Sequence, residues 1–288
     1  MASLPPLLPL PSNPNPKTIR RRSLLLSSTA AAATATLPIP LPAVAGDPPS
    51  PAITDRVFMD FSLCPSFLRP DRPLAPDLLS ACPDSQPLGR IIFGLYGKVV
   101  PKTVANFKAM CATSSYRGAL VHKILEGEFF AAGRQGRREK GEIRPPPNLV
   151  KNSETVDSQS FQLKHWKPGT LSLCLSENDD DDEIRLDPEY HNVEFLVTTG
   201  PGPCPRLDDQ NIVFGTVLEG LDVVGSIAAI PTYKPSERIR QFNDFAEFLG
   251  DERAVNARAL WNRPLKTVYV SDCGELKVAK PSLSPSLP

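Results

Sequence analysis

The chain has 288 residues, 41% of them hydrophobic and 22% charged, enough apolar side chain to bury a core in one large domain or two small ones. Lysine plus arginine equals aspartate plus glutamate at 32 each, and no basic stripe is interleaved with aromatic residues, so the charge pattern argues against a nucleic-acid surface. Of the 33 prolines, 15 fall within residues 1–51 and 281–288, a composition that sets both ends apart from the fold.

Residues 1–46 carry four cations, Lys17, Arg20, Arg21 and Arg22, and no acidic residue. "MASLPPLLPLPSNPNP" is rich in Ser and Pro, in the manner of an organelle transit segment. In "RRRSLLLSSTAAAATATLPIPLPAVAG" a twin arginine then precedes a weakly apolar stretch, and Ala43-Val44-Ala45 gives a small-x-small cleavage pattern before Gly46. The tandem signals resemble the two-part leader that takes plant proteins into the chloroplast and then, by the twin-arginine route, into the thylakoid lumen. Ser27, Ser28 and Thr29, with Pro38, Pro40 and Pro42, interrupt the run too often for a span of ~20 apolar residues. The expected mature chain therefore starts at Gly46, does not span the membrane and carries 28 basic against 32 acidic side chains. Residues 47–54 read as a linker.

"RVFMDFSLC", residues 56–64, alternates apolar and polar positions and predicts a first strand. "LGRIIFGLYGKVVPKTVANFKAMCATS" predicts a second strand through Tyr96, a turn at Gly97, and a helix begun by Pro101 and Thr103 with Val104, Phe107, Lys108 and Cys111 on one side. These two strands should pair, joined by a Pro-rich insertion over residues 65–87. "VHKILEGEFFAAGRQG", residues 121–136, places a His, a cation, two aromatics and a Gly turn on another strand. A charged loop with Pro145-Pro146-Pro147 follows, and then strands in "GTLSLCLS" and "VEFLVTT" separated by the acidic "ENDDDDEIRLDPEYHN". "NIVFGTVLEGLDVVGSIAAI" gives a strand, a turn and a helix. Many short strands with two helices and no alternating βαβ pattern predict a mainly β fold, a closed antiparallel barrel.

Five of these stretches, "GRIIFGLYGKVVPKTVANFKAMC", "VHKILEGEFFAAG", "FQLKHWKPGTLSL", "NIVFGTVLEGLDVV" and "VYVSDCGEL", resemble the cyclophilins, the peptidyl-prolyl cis-trans isomerases, and stand in family order across residues 55–277. The resemblance implies an eight-stranded antiparallel barrel capped by two helices, occupying residues 55–278, with residues 279–288 as a tail. Residues 234–264 interrupt the pattern and form an extra helical insertion before the last strand. There Phe242, Phe245 and Leu249 recur at helical spacing, and Val255, Ala259 and Trp261 do so less cleanly. That face either packs on the barrel, the favoured expectation, or docks a lumenal protein.

Cyclophilins bind a prolyl residue in an apolar pocket beside an arginine. On this chain the arginine's position holds Lys123, which keeps the charge but not the planar fork. The pocket aromatic falls on Phe129 and its neighbouring Met on Phe130; the pocket Phe becomes Leu196, with Glu194 where a Gln is expected. The family's Trp, Leu and His become Arg206, Leu207 and Asn211, and its Gln and Asn become Ala132 and Leu175. The implied substrate-binding set is Phe129, Phe130, Leu196, Leu207, Arg206 and Asn211, with Lys123 in the catalytic position. An apolar dish for a proline ring is kept while the polar donors are replaced, so the resemblance implies a weak isomerase acting on proline-containing polypeptides. The alternative is a non-catalytic module that binds such segments or assembly partners. No cofactor and no metal are implied.

Six cysteines leave pairing open: Cys64 and Cys82 bracket the insertion and either form a bridge or stay free. Cys111 and Cys273 occupy positions where cyclophilins often carry cysteine. No Cys and His spacing suits zinc. Asp179–Asp182 with Glu183 read as a solvated charge run, since no Gly provides the turn of a calcium loop. His165 sits where the family has a structural histidine.

Overall fold

The computed structural model describes residues 51–65, 82, 84–136, 141–178 and 185–277. The leader 1–46, the tail 279–288, most of the 65–87 insertion and the acidic run Asp179–Asp182 with Glu183 lie outside the described residues.

The first strand, β1 (Asp55–Cys64), puts Val57, Met59 and Phe61 on one face, and all three are buried, as period-2 alternation requires. It pairs antiparallel with β2 (Gln86–Leu95), Val57 opposite Phe93 and Met59 opposite Ile91. Strand β2 begins at Gln86, inside the stretch expected to be insertion. A disulfide joins Cys64 to Cys82 across 18 positions of chain, settling the open pairing in favour of a bridge. Thr54, assigned to the linker from sequence, already donates its N–H to Leu95 O at 2.9 Å.

Six further strands complete one sheet: β3 (Val121–Leu125), β4 (Phe129–Ala132), β5 (Thr170–Leu173), β6 (Phe195–Thr198), β7 (Ile212–Glu219) and β8 (Thr267–Leu276). Their spatial order is β3-β4-β6-β5-β7-β2-β1-β8, with every pair antiparallel. The two ends of that order meet: Gly118 N–H reaches Val270 O at 2.8 Å and Val270 N–H reaches Ala119 O at 2.9 Å, so few edge groups are left unpaired. The predicted closed eight-stranded barrel is the observed one.

Helix α1 (Pro101–Ala112) starts at a proline, whose missing N–H costs nothing in a first turn. Its orphan donors are met from far along the chain. The buried Glu154 carboxylate accepts from Lys102 N and Thr103 N, both at 2.8 Å, and from Thr103 Oγ1 at 2.7 Å. The helix sends Phe107 into the barrel among Phe93, Tyr116, Phe195 and Phe214, with ring centroids 4.8–6.4 Å apart. Burying such a ring contributes ~1.5–3 kcal/mol. Helix α2 (Leu221–Ala228) buries Val223, Val224 and Ile227. It approaches β2 so closely that a Cβ on Gly89, itself at φ +138°, would stand 2.7 Å from Val223 Cγ2.

The insertion rises on a short ladder in which Tyr233 and Asn262–Arg263 exchange backbone bonds, while Ile124 of β3 donates to Asn262 O at 2.8 Å. It carries α3 (Glu237–Phe248) and α4 (Glu252–Arg258). The expectation that Phe242, Phe245 and Leu249 pack on the barrel is not met. They are 77%, 61% and 67% exposed, and Ile239 and Phe248 on the same half of α3 are exposed with them. The inward side of α3 is polar instead: Asn243 is buried and donates to Ala254 O at 3.0 Å, and Arg258 bridges Asp244 and Glu247. Helix α4 ends before Ala259 and Trp261, whose helical spacing is therefore not used. Among the described residues no helix is long and apolar enough to cross a membrane.

Candidate active site

The β3–β4 hairpin turns through Glu126, Gly127 and Glu128, with Gly127 at φ +76°. Beyond it, alternation along β4 divides the expected dish. Phe129 and Ala131 face outward and join Cys174, Leu196, Cys204 and Leu207 in a small apolar cluster on the barrel's outer face. Phe130 and Ala132 face inward, and Phe130 meets Phe61 edge to face at 6.0 Å in the main core. Three of the four predicted dish residues, Phe129, Leu196 and Leu207, thus come together, and Phe130 does not join them. Ala132, expected at the family's glutamine position, is enclosed in the main core, and Ala131 is the β4 residue that stands with Phe129 in the outer cluster.

The dish is covered. Phe129, Leu196 and Leu207 each have 0% exposure. Arg206, in the turn Pro205–Leu207, holds its guanidinium carbon 5.7 Å from the centre of the Phe129 ring, a cation–π placement. Two carboxylates keep it there: Glu128 Oε2 at 3.1 Å and Glu177 Oε1 at 3.2 Å. The other oxygen of Glu177, Oε2, lies 2.8 Å from Lys123 Nζ. Lys123 and Arg206 therefore share one acidic residue, with Arg206 beside the Phe129 ring.

Asn211, expected to bind substrate, is fully buried and already occupied. Its Oδ1 accepts from Leu175 N at 2.8 Å and Ser176 N at 3.2 Å, while its Nδ2 donates to Ser176 Oγ at 2.8 Å and Leu207 O at 3.2 Å. It is a staple between the segment leading to Glu177 and the turn carrying Arg206. Leu175 packs against the main core, with no polar group to offer.

A second buried layer supports the hairpin. His122 Nε2 lies 3.0 Å from the enclosed Glu194 Oε1. Burial, and then the charge and hydrogen bond of Glu194, push the Cys174 thiol well above its usual range. His165 bridges Asp208 Oδ1 at 2.8 Å and Ser172 Oγ at 3.0 Å, and its carbonyl accepts from Cys204 N at 2.8 Å, which anchors the Arg206 turn. Burial pushes its imidazole below the ordinary value, with Asp208 opposing. The structural part expected of His165 is the one it has.

Glu128 and Glu177 were not singled out by sequence reasoning. Their signal was weak: Glu128 is one extra acid in "EGEF", and Glu177 opens an acidic stretch that reads as solvated.

Residues 84–243 match the family model described as cyclophilin type peptidyl-prolyl cis-trans isomerase/CLD. A relative from Arabidopsis thaliana, "Peptidyl-prolyl cis-trans isomerase CYP28, chloroplastic", is 64% identical over 248 residues, which cover 84% of this chain and 88% of the relative. The family match ends within α3, and the closing strand β8 follows the insertion.

Proposed function

Since the chain belongs to the cyclophilin-type peptidyl-prolyl cis-trans isomerases, we propose that it is a slow isomerase of proline-containing polypeptides in the chloroplast thylakoid lumen. The observation that carries the low rate is the sharing of Lys123 and Arg206 by Glu177 above the enclosed Phe129 ring.

The reaction must lower a rotation barrier of ~18–20 kcal/mol that amide resonance sets. A donor to the prolyl nitrogen is useful only as that nitrogen pyramidalises, so it stabilises the transition state more than the bound substrate. In this site Phe129, Leu196 and Leu207 provide the apolar face for the ring. Lys123 stands where the family places its arginine, and Arg206 provides a planar, always charged guanidinium from the opposite rim. Each is held by a carboxylate, which restrains its reach toward the prolyl nitrogen. Ala132 and Leu175 donate nothing, so the substrate's carbonyls lack the partners that hold them in the family.

The chloroplast assignment is supported by the acid-free leader and by the word chloroplastic in the name of the Arabidopsis relative. The lumen is the finer reading, carried by Arg21 and Arg22 ahead of Ala43-Val44-Ala45, and a Cys64–Cys82 disulfide suits a compartment where such bonds persist. Mass spectrometry of the organelle protein should find an N-terminus at Gly46; a chain retaining Arg21 and Arg22 would remove the lumenal assignment.

A second reading, a binding module without useful turnover, draws on the exposed apolar half of α3, which suits a protein partner. Titrating the chain with an Ala-Ala-Pro-Phe peptide while following cis–trans exchange by NMR separates the two. Accelerated exchange supports the isomerase, and saturable binding without acceleration supports the module.

A further inference from the structure

We propose that Glu177 is a positioning residue that keeps the prolyl site closed by holding Lys123 and Arg206 on its single carboxylate. This rests on reading the Phe129 cluster as the prolyl site. The carboxylate is divided between its partners: Oε2 accepts a charge-assisted hydrogen bond from Lys123 Nζ at 2.8 Å, and Oε1 forms an ion pair with Arg206 at 3.2 Å, so neither cation can move without giving up its contact with Glu177. Lys123 and Glu177 have side chains only 16% and 19% exposed, which limits screening of their pair by salt. Glu128 also grips Arg206, at 3.1 Å, but it is 40% exposed and reaches no second cation among the contacts at this site.

The backbone is built for this contact. Asn211 takes the N–H groups of Leu175 and Ser176 with one end of its amide and the Leu207 carbonyl with the other. The chain just before Glu177 and the turn bearing Arg206 are thereby set at a fixed separation by one fully buried side chain. The consequence falls on Phe129, whose ring is entirely enclosed with the guanidinium carbon 5.7 Å from its centre. A prolyl ring reaches Phe129 only when Arg206 swings off, and Arg206 swings off only when Glu177 lets go. The population of the open form, and with it the apparent peptide affinity, is then set by this clamp.

Glu177→Gln keeps the size and removes the charge. In the full chain it should tighten binding of a fluorescein-labelled Ala-Ala-Pro-Phe peptide, read by anisotropy, by at least ~10-fold. Glu128→Gln should tighten it by less than ~3-fold. Arg206→Ala, at a half-exposed position, removes the cover together with one arm of the clamp, leaves the Lys123–Glu177 pair in place and should also tighten binding; it serves as the test if Glu177→Gln does not fold. Unchanged or weaker peptide binding in a folded Glu177→Gln chain, or in Arg206→Ala when that variant alone folds, overturns the clamp. The isomerase reading fails separately. Tighter binding in Glu177→Gln with no turnover in either protein leaves the clamp standing and removes the catalysis, whereas measurable turnover with unaltered binding does the reverse.

Discussion

The fully buried Asn211 side chain accepts, at Oδ1, the N–H of Leu175 at 2.8 Å. The amide accepts from two backbone donors and donates to two acceptors, so truncation removes four hydrogen bonds and leaves the part-buried Leu175 N–H without this partner. Asn211→Ala should cost ~1–3 kcal/mol, seen as a lower urea midpoint with an unchanged slope. An unaffected midpoint would mean that the segment reaching Glu177 is held by other contacts.

The reversed amphipathy of α3 sets two substitutions against each other. Asn243→Ala removes the bond to Ala254 O and should lower stability by ~1 kcal/mol. Replacing Phe242 and Phe245 together by Gln takes away two large apolar side chains that are already exposed, and thermal stability should change by less than ~0.5 kcal/mol. A large loss in the double variant would show that this face packs on the barrel after all.

His165 gives stability a pH dependence of known sign. Burial lowers its folded pKa, Asp208 opposing, below the ordinary 6.5 that the unfolded chain retains. The unfolded state therefore takes up the proton first as pH falls, so this contribution is intact above about 6.5, is lost on acidification toward the folded value and levels off below it. Urea midpoints from pH 7 to 5 should decline, and His165→Gln should flatten the decline. A variant with the same slope would place the dependence elsewhere.

The Cys64–Cys82 bridge closes a loop 18 positions long, for which chain entropy gives ~3 kcal/mol. Paired Cys64→Ser and Cys82→Ser should lower Tm by about 6–12 °C. An identical Tm would show that the loop is restrained by other means.

The barrel was legible because its signals are local. Val57, Met59 and Phe61 alternate, Pro101 opens a helix, and five motifs keep their order. The site was legible as a set of positions but not as a geometry. Phe130 was assigned to the dish by motif position alone, whereas the pleat turns it inward beside Phe61. Glu154 and Glu177 were missed because each acts 50 or so residues from its partner in sequence, Thr103 and Lys123 respectively. No periodicity reports such a contact. Phe242 and Phe245 misled for the converse reason: helical spacing of apolar residues shows that a face exists, not that the barrel covers it.

The central claim is that this cyclophilin retains a prolyl site whose cations are occupied. The most direct measurement is kcat/KM for isomerisation of Ala-Ala-Pro-Phe by the full chain, and by the form beginning at Gly46, beside a cyclophilin that carries the family's arginine, glutamine and asparagine. Two lost charge-assisted hydrogen bonds, at about 1.5–3 kcal/mol each, correspond to a deficit of ~10²–10⁴-fold, so the expected result is activity above the uncatalysed rate but lower than the reference by that factor. A kcat/KM equal to the reference would contradict the account, because Lys123 and Arg206 could not then be restrained by Glu177 in the working enzyme.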